Sequence, residues 1–145
     1  MTTVFKIRKD LFLTEVPVQL PARDAAQPNQ LTANNHIWLF DRSGSMAGTI
    51  HDLVEDMISK LRTLNSGDTV SIGWFSGEGQ RDFILKGHTV LNRKDCDAIA
   101  QILRRYASTV GCTCFSEILA QTKDVVRDLK VLNPLFSLVF FTDGY

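Results

Sequence analysis

The sequence predicts a Rossmann-like, three-layer α/β/α fold with a mostly parallel sheet and one antiparallel edge strand, and three observations carry that expectation. Strand-like and helix-like segments alternate from His36 onward, the pattern of a sheet covered by helices. Two of the strand-like runs, 36–40 (HIWLF) and 135–141 (LFSLVFF), are nearly continuous in apolar residues, as strands buried on both faces are. Each run leads into an aspartate, Asp41 and Asp143, which places two carboxylates at the C-terminal tips of buried strands, where open parallel sheets bind ligands. At 145 residues, 44% of them apolar, the chain is long enough for one domain with a sizeable core and gives no case for disorder.

Residues 1–34 stand apart from the rest. Two short strands, 4–7 and 11–16, form a β-rich extension, and a linker follows over 17–30, where Pro17, Pro21 and Pro28 lie among mostly polar or small residues. The domain proper is expected over 35–145. After its first strand, Ile50, Leu53, Val54, Met57, Ile58, Leu61 and Leu64 recur at helical spacing, with His51, Asp52, Glu55, Asp56, Lys60 and Arg62 on the other side. Thr49, with Asp52 three residues on, approximates a capping box that would start this helix just after the Ser43-Gly44-Ser45 loop, its positive dipole end toward any anions there. Residues 68–75 read as the next strand and Gly77 to Gln80 as a turn into 82–91, a connection short enough to require an antiparallel hairpin. Asn92 can cap a helix to about residue 106, with Cys96, Ile99, Leu103 and Tyr106 along one face. A further helix, about 115–129, carries Phe115, Ile118, Leu119, Val125, Val126 and Leu129 on its buried side. Asn133-Pro134 then breaks the chain before the apolar run 135–141.

Sixteen basic and sixteen acidic residues give a formal charge of zero, so no overall field draws the chain to nucleic acid or an anionic membrane, and neither is an expected partner. The charged N-terminus (Lys6, Arg8, Lys9, Asp10) precedes any apolar stretch of signal-peptide length, and no segment approaches the roughly 18 apolar residues of a membrane span. A cytoplasmic location is expected. Cys96, Cys112 and Cys114 are an odd, sparse set that fits reduced thiols better than a disulfide framework. The C-x-C of Cys112 and Cys114 lacks the second pair of a structural zinc site, so small buried thiols are expected there. His36, His51 and His88 are scattered without i, i+4 pairing, and Gly77-x-Gly79 follows a strand without opening a helix, which reads as a hairpin turn and not a phosphate loop.

The chemistry concentrates in three segments: Asp41-Arg42-Ser43-Gly44-Ser45, Gly111-Cys112-Thr113 and Thr142-Asp143-Gly144. All supply oxygen ligands. Two ionised carboxylates about 5 Å apart repel by roughly 3 kcal/mol at an effective dielectric near 20, and a hard divalent cation removes that penalty. Hydroxyls and carboxylates without an organised His or Cys set favour Mg²⁺, Mn²⁺ or Ca²⁺ over zinc or copper. The order D-x-S-x-S, distant threonine, Thr-Asp-Gly resembles the metal-ion-dependent adhesion site of the von Willebrand factor type A family. Residues 66–76 (SGDTVSIGWFS) look like that family's second strand, and the resemblance covers roughly 36–145. It implies that Ser43 and Ser45 bind Mg²⁺ or Mn²⁺ directly, Thr113 directly or through water, and Asp41 and Asp143 mainly through bridging waters. An open coordination position would be left for an acidic side chain of a partner. Arg42 stands where the family tolerates many residue types; a solvent-facing side chain, able to steer an acidic partner, is expected.

The resemblance also implies a sheet order of 3-2-1-4-5-6, with two further strands beyond 135–141. Because the sequence given stops at Tyr145, the C-terminal part of the domain is expected to be missing, which would leave 136–141 as an apolar edge prone to aggregation. A longer chain, a partner or residues 1–34 would then have to cover it.

The expected function is a metal-dependent protein–protein binding module, a scaffold or adaptor in an intracellular multiprotein assembly such as those built with ring ATPases, in which Mg²⁺ bridges to an Asp or Glu of the partner. No nucleophile with an adjacent base is apparent, so the chain is not expected to be an enzyme. Two rivals stay open. One is a Mg²⁺-dependent phosphoryl-transfer enzyme with Asp41 as nucleophile, although such enzymes want a second aspartate where Ser43 stands. The other is a structural subunit with a vestigial site. Residue by residue, the serines could merely cap backbone amides, Thr113 could cap a helix, and Asp143 could be a turn acid; Gly111 would let its loop bend close to an ion.

Overall fold

The computed structural model describes residues 3–8, 11–19, 33–130 and 135–143. Six strands form one sheet: β1 (Thr3–Arg8), β2 (Leu11–Gln19), β3 (Asn35–Asp41), β4 (Thr69–Phe75), β5 (Arg81–Thr89) and β6 (Leu135–Thr142), in the spatial order β1-β2-β6-β3-β4-β5. The centre is parallel, with β3 between β6 and β4. Antiparallel pairing occurs at both margins, β5 on β4 and the β1–β2 pair on β6. Counted from β3, the strands lie 3-2-1-4, the order the resemblance implied.

The place beyond β6 is filled from within the chain. Phe12 lies opposite Thr142 and the pairing continues to Gln19 opposite Leu135. The expectation of an exposed apolar edge at 136–141 is therefore corrected, and β2 runs past Pro17, which sequence reading had put in the linker. A ladder at β6 requires a partner for every backbone group on that side, and the nearest strand-forming segment supplies it. Among the described residues β1 pairs with β2 no further than Glu15, so Pro17 is asked for no ladder bond on that side there. The remainder of the expected linker, Asn133-Pro134 and Gly144-Tyr145 lie outside the described residues.

Alternation along the strands separates two cores. On one face Trp38, Phe40, Val70, Ile72, Val139 and Phe141 pack against α1 (Ile50–Leu61) and α2 (Arg93–Arg105). On the other, Ile37, Leu39, Phe75, Phe83 and Phe136 meet α3 (Ser116–Lys130) through Ile118 and Val125. Gly73 is needed on that second face, since a Cβ there would press on Leu39 and the Phe83 ring at 3.1–3.2 Å. Three layers result. Among the described residues no helix is long and apolar enough to cross a membrane.

The helices match expectation at one end and differ at another, and two expected core residues are exposed. Asn92 caps α2 as expected, and Asp95 closes a full capping box by accepting from the Asn92 amide. Thr49 makes no such cap: a 3-10 turn (Gly44–Gly48) stands between the serine loop and α1, and Thr49 bonds back to the Met46 carbonyl. Phe115 and Leu119 are exposed and not buried, at 36% and 38%, because α3 turns Ile118, Thr122 and Val125 to the sheet and leaves these two at its flank.

Candidate functional site

Parallel register brings the ends of β3 and β6 together. Phe40 lies opposite Phe141, so Asp41 stands beside Thr142, whose hydroxyl donates to Asp41 Oδ2 at 3.1 Å. The Ser43 amide donates to Oδ1 at 2.7 Å. Asp41 is thus fully buried with both oxygens engaged and its orientation set, and Asp143, one residue past Thr142, is also buried. Ser43 is buried and Ser45 exposed, and their Oγ atoms lie 2.9 Å apart.

That spacing allows a fit test. An octahedral Mg²⁺ holds its oxygens at 2.0–2.1 Å, which separates neighbouring ligands by about 2.9 Å. The two serine hydroxyls, here hydrogen-bonded to each other, are therefore spaced as two adjacent ligands would be, and the donor set they make with the nearby acid Asp41 fits a hard cation. Among the described residues no three His, Cys, Asp or Glu side chains gather as a metal cluster, so any cation here would be held by hydroxyls as much as by carboxylates. A hard ion suits that donor set.

Thr113 reaches the site by its loop. The Gly44 amide donates to the Gly111 carbonyl at 2.9 Å, and the Val110 amide to the Arg42 carbonyl at 2.6 Å, so residues 110–111 lie along the serine loop. Gly111 has φ +64°, a backbone conformation that glycine takes without strain, and a Cβ there would also require the Gln80 side chain to move. Thr113 itself is exposed, and no hydrogen bond joins its side chain to Asp41, Ser43 or Ser45. Since α3 begins at Ser116, Thr113 does not stand at the cap position next to that helix. The structure links Asp41, Ser43 and Ser45 through hydrogen bonds, holds Asp143 buried one residue past the Thr142 that bonds Asp41, and brings the Thr113 loop against Gly44.

Three residues to which the sequence assigned no individual role build the surroundings. Thr142 orients Asp41, and its position opposite the end of β3 follows only from the strand register. Ser76, fully buried, donates its hydroxyl to the Cys112 carbonyl at 2.9 Å. Ser108 receives Arg42: Nε donates to its carbonyl at 2.8 Å and Nη2 to its hydroxyl at 2.7 Å. Arg42 is buried, not solvent-facing, with its guanidinium 4.5 Å from the Trp74 ring centre and 5.3 Å from that of Tyr106. Burial holds its pKa below the ordinary value, partly countered by Tyr106. The aromatic pair replaces water around the cation, which is why a residue that reads as surface charge ends as a strut. Cys112 is exposed and Cys114 partly so, which corrects the expectation of small buried thiols at these two positions, whereas Cys96 is buried. Cys96 borders the core under α2, and burial pushes its thiol pKa up.

No family model matches the sequence, and no curated protein matches it. Among solved structures, the fold is similar to a von Willebrand factor type A protein from Catenulispora acidiphila, with a TM-score of 0.58 and 16% identity over 81% of this chain and 26% of that one. The pilus adhesin SpaC from Lactobacillus rhamnosus GG, in its open conformation, aligns with a TM-score of 0.48 and 18% identity over 88% of this chain and 16% of its own. The chain thus spans about a quarter or less of the length of each.

Proposed function

We propose that this chain, which has the von Willebrand factor type A fold, is a metal-dependent protein-binding module whose site is formed by Asp41, Ser43, Ser45, Thr113 and Asp143. The observation that supports the reading best is the 2.9 Å pair of serine hydroxyls beside the buried, doubly hydrogen-bonded Asp41. Bound there, Mg²⁺ or Mn²⁺ would supply an electrophilic position for a carboxylate of an incoming protein. Ser43 and Ser45 would hold the ion with neutral oxygens, and Thr113 would add a third hydroxyl from the opposite loop. Asp41 and Asp143 would balance its charge, Asp41 locked by Thr142 and the Ser43 amide. The exposure of Ser45 and Thr113 leaves the rim open to a partner. A scaffold or adaptor in a cytoplasmic assembly is the role we assign.

A phosphoryl-transfer enzyme with Asp41 as nucleophile is less well supported. Both Asp41 oxygens accept hydrogen bonds and the residue has no exposure, which leaves little room for attack on an incoming phosphorus.

Capture of partner proteins by the wild type, Ser43→Ala and Thr113→Ala, each with Mg²⁺ and with chelator, tests the reading. Partners held by the wild type in Mg²⁺ should be released by chelator and lost from both variants. The same partners retained under chelation would show that binding uses another surface.

A further inference from the structure

We propose that Ser76 is the positioning residue that sets Thr113 in place, an inference that rests on the metal-binding reading above. The geometry is specific to this one side chain and its backbone. Ser76 Oγ donates to the Cys112 carbonyl at 2.9 Å, while the Ser76 carbonyl accepts from the Cys114 amide at 2.6 Å. The two bonds straddle Thr113, gripping the residue before it and the residue after it. Ser76 is itself fixed, because its amide donates to the Gln80 carbonyl at 2.9 Å across the β4–β5 turn and the residue is fully buried. That turn is clamped in its own right: Glu117 at the start of α3 accepts from the Gly79 amide at 2.8 Å and from Arg81 at 2.5 Å. A rigid hairpin therefore carries a buried hydroxyl to the middle of a loop that has no secondary structure of its own between Tyr106 and Ser116.

The consequence is chemical. A threonine on a free loop would lose conformational freedom on joining a metal site, and that loss weakens binding. Held at both neighbours, Thr113 keeps an ordered backbone while remaining exposed. Ser76 acts only through Thr113 and touches no candidate ligand side chain. Groups that hydrogen-bond a metal ligand directly typically change affinity by about 10- to 100-fold when removed, and Ser76, which grips the residues on either side of Thr113, belongs at the lower end of that range.

Ser71 provides the control. It is also fully buried on β4, its hydroxyl accepts from the Gly87 amide at 2.8 Å, and it has no link to the loop. Binding of Mn²⁺ alone, read by water-proton relaxation, and amide hydrogen exchange at Cys114 should be measured for wild type, Ser76→Ala and Ser71→Ala. We expect Ser76→Ala to weaken Mn²⁺ by at least roughly tenfold and to speed exchange at Cys114, with neither change in Ser71→Ala at a comparable loss of melting temperature. Should Ser76→Ala fail to fold, Ser76→Cys keeps a weak donor of similar size and should give smaller changes in the same direction. Wild type that binds Mn²⁺, with a Ser76 variant that binds it equally well, overturns the role of Ser76 alone. Wild type that binds no Mn²⁺ overturns the metal reading and this inference with it, and the exchange data then report only whether Ser76 anchors the loop.

Discussion

Asp41 and Asp68 lie at opposite ends of the adjacent parallel strands β3 and β4, both almost completely buried, and they are surrounded by opposite chemistry. At the N-terminal edge, Asp68 meets donors supplied by the chain: the Asn34 amide at 2.9 Å, the Asn65 amide at 3.0 Å and His36 Nε2 at 3.3 Å. Burial alone would push this carboxyl up, but the two amides and the imidazole outweigh it and hold its pKa below the usual carboxylate value. At the C-terminal edge, Asp41 receives one amide, from Ser43, and one hydroxyl, from Thr142, and the Ser43 hydroxyl lies 2.9 Å from that of Ser45. One carboxylate is satisfied by protein donors and ties segments together. The other takes one donor on each oxygen, from its own loop and from the tip of β6, and stands where the hydroxyls of Ser43 and Ser45 meet. The difference between a structural acid and a candidate binding acid thus lies in what surrounds it, since burial is the same.

The largest expected effect is at the saturated end. Asp68→Ala would remove the carboxylate that accepts from the Asn34 and Asn65 amides and from His36; hydrogen bonds to a charged group are worth about 1.5–3 kcal/mol each, so urea unfolding at neutral pH should show a loss of at least about 2 kcal/mol. A loss within about 0.5 kcal/mol, the usual range for a surface substitution, would dissolve the contrast.

Acid titration sharpens it. The folded pKa of Asp68 is depressed, so the unfolded chain takes up a proton more readily than the native one; the stability Asp68 contributes is fully present above its unfolded value of about 3.9. It is lost as pH falls from there through the folded value. Asp68→Asn should lower stability at neutral pH and flatten the decline below about pH 4. An acid-unfolding curve parallel to that of the wild type would remove Asp68 as its source.

The smallest effect belongs to Asp41. In chelator, Asp41→Asn keeps an acceptor for the Ser43 amide and removes one of two neighbouring negative charges, so stability should change by less than about 1 kcal/mol. A loss as large as that of Asp68→Ala would mean that Asp41, too, is chiefly structural.

How much of this was legible in the sequence varied with range. Asp41, Ser43 and Ser45 announce themselves as closely spaced oxygen-bearing side chains directly after an apolar strand, and the apolar runs before Asp41 and Asp143 place both at strand ends. The parallel centre and the helical faces of α1 and α2 were readable for the same local reason. Arg42 was not: Trp74 and Tyr106, which bury it, come from other elements, and no local signal separates a strut from a surface charge. Ser76 was hidden likewise, since its partners lie 36 residues on. The pairing of β2 with β6 was missed because strand pairing over more than a hundred residues leaves no periodic trace, and Pro17 argued locally for a linker. Long-range register decided each of these.

Calorimetric titration with Mn²⁺ tests the central claim most directly, comparing wild type, Asp41→Ala and Asp68→Asn under conditions where all three are folded. We expect one saturable site in the wild type, no binding by Asp41→Ala, and near wild-type affinity for Asp68→Asn. Binding that survives Asp41→Ala, or no binding by the wild type at millimolar Mn²⁺, would contradict the assignment of the C-terminal edge as the metal site.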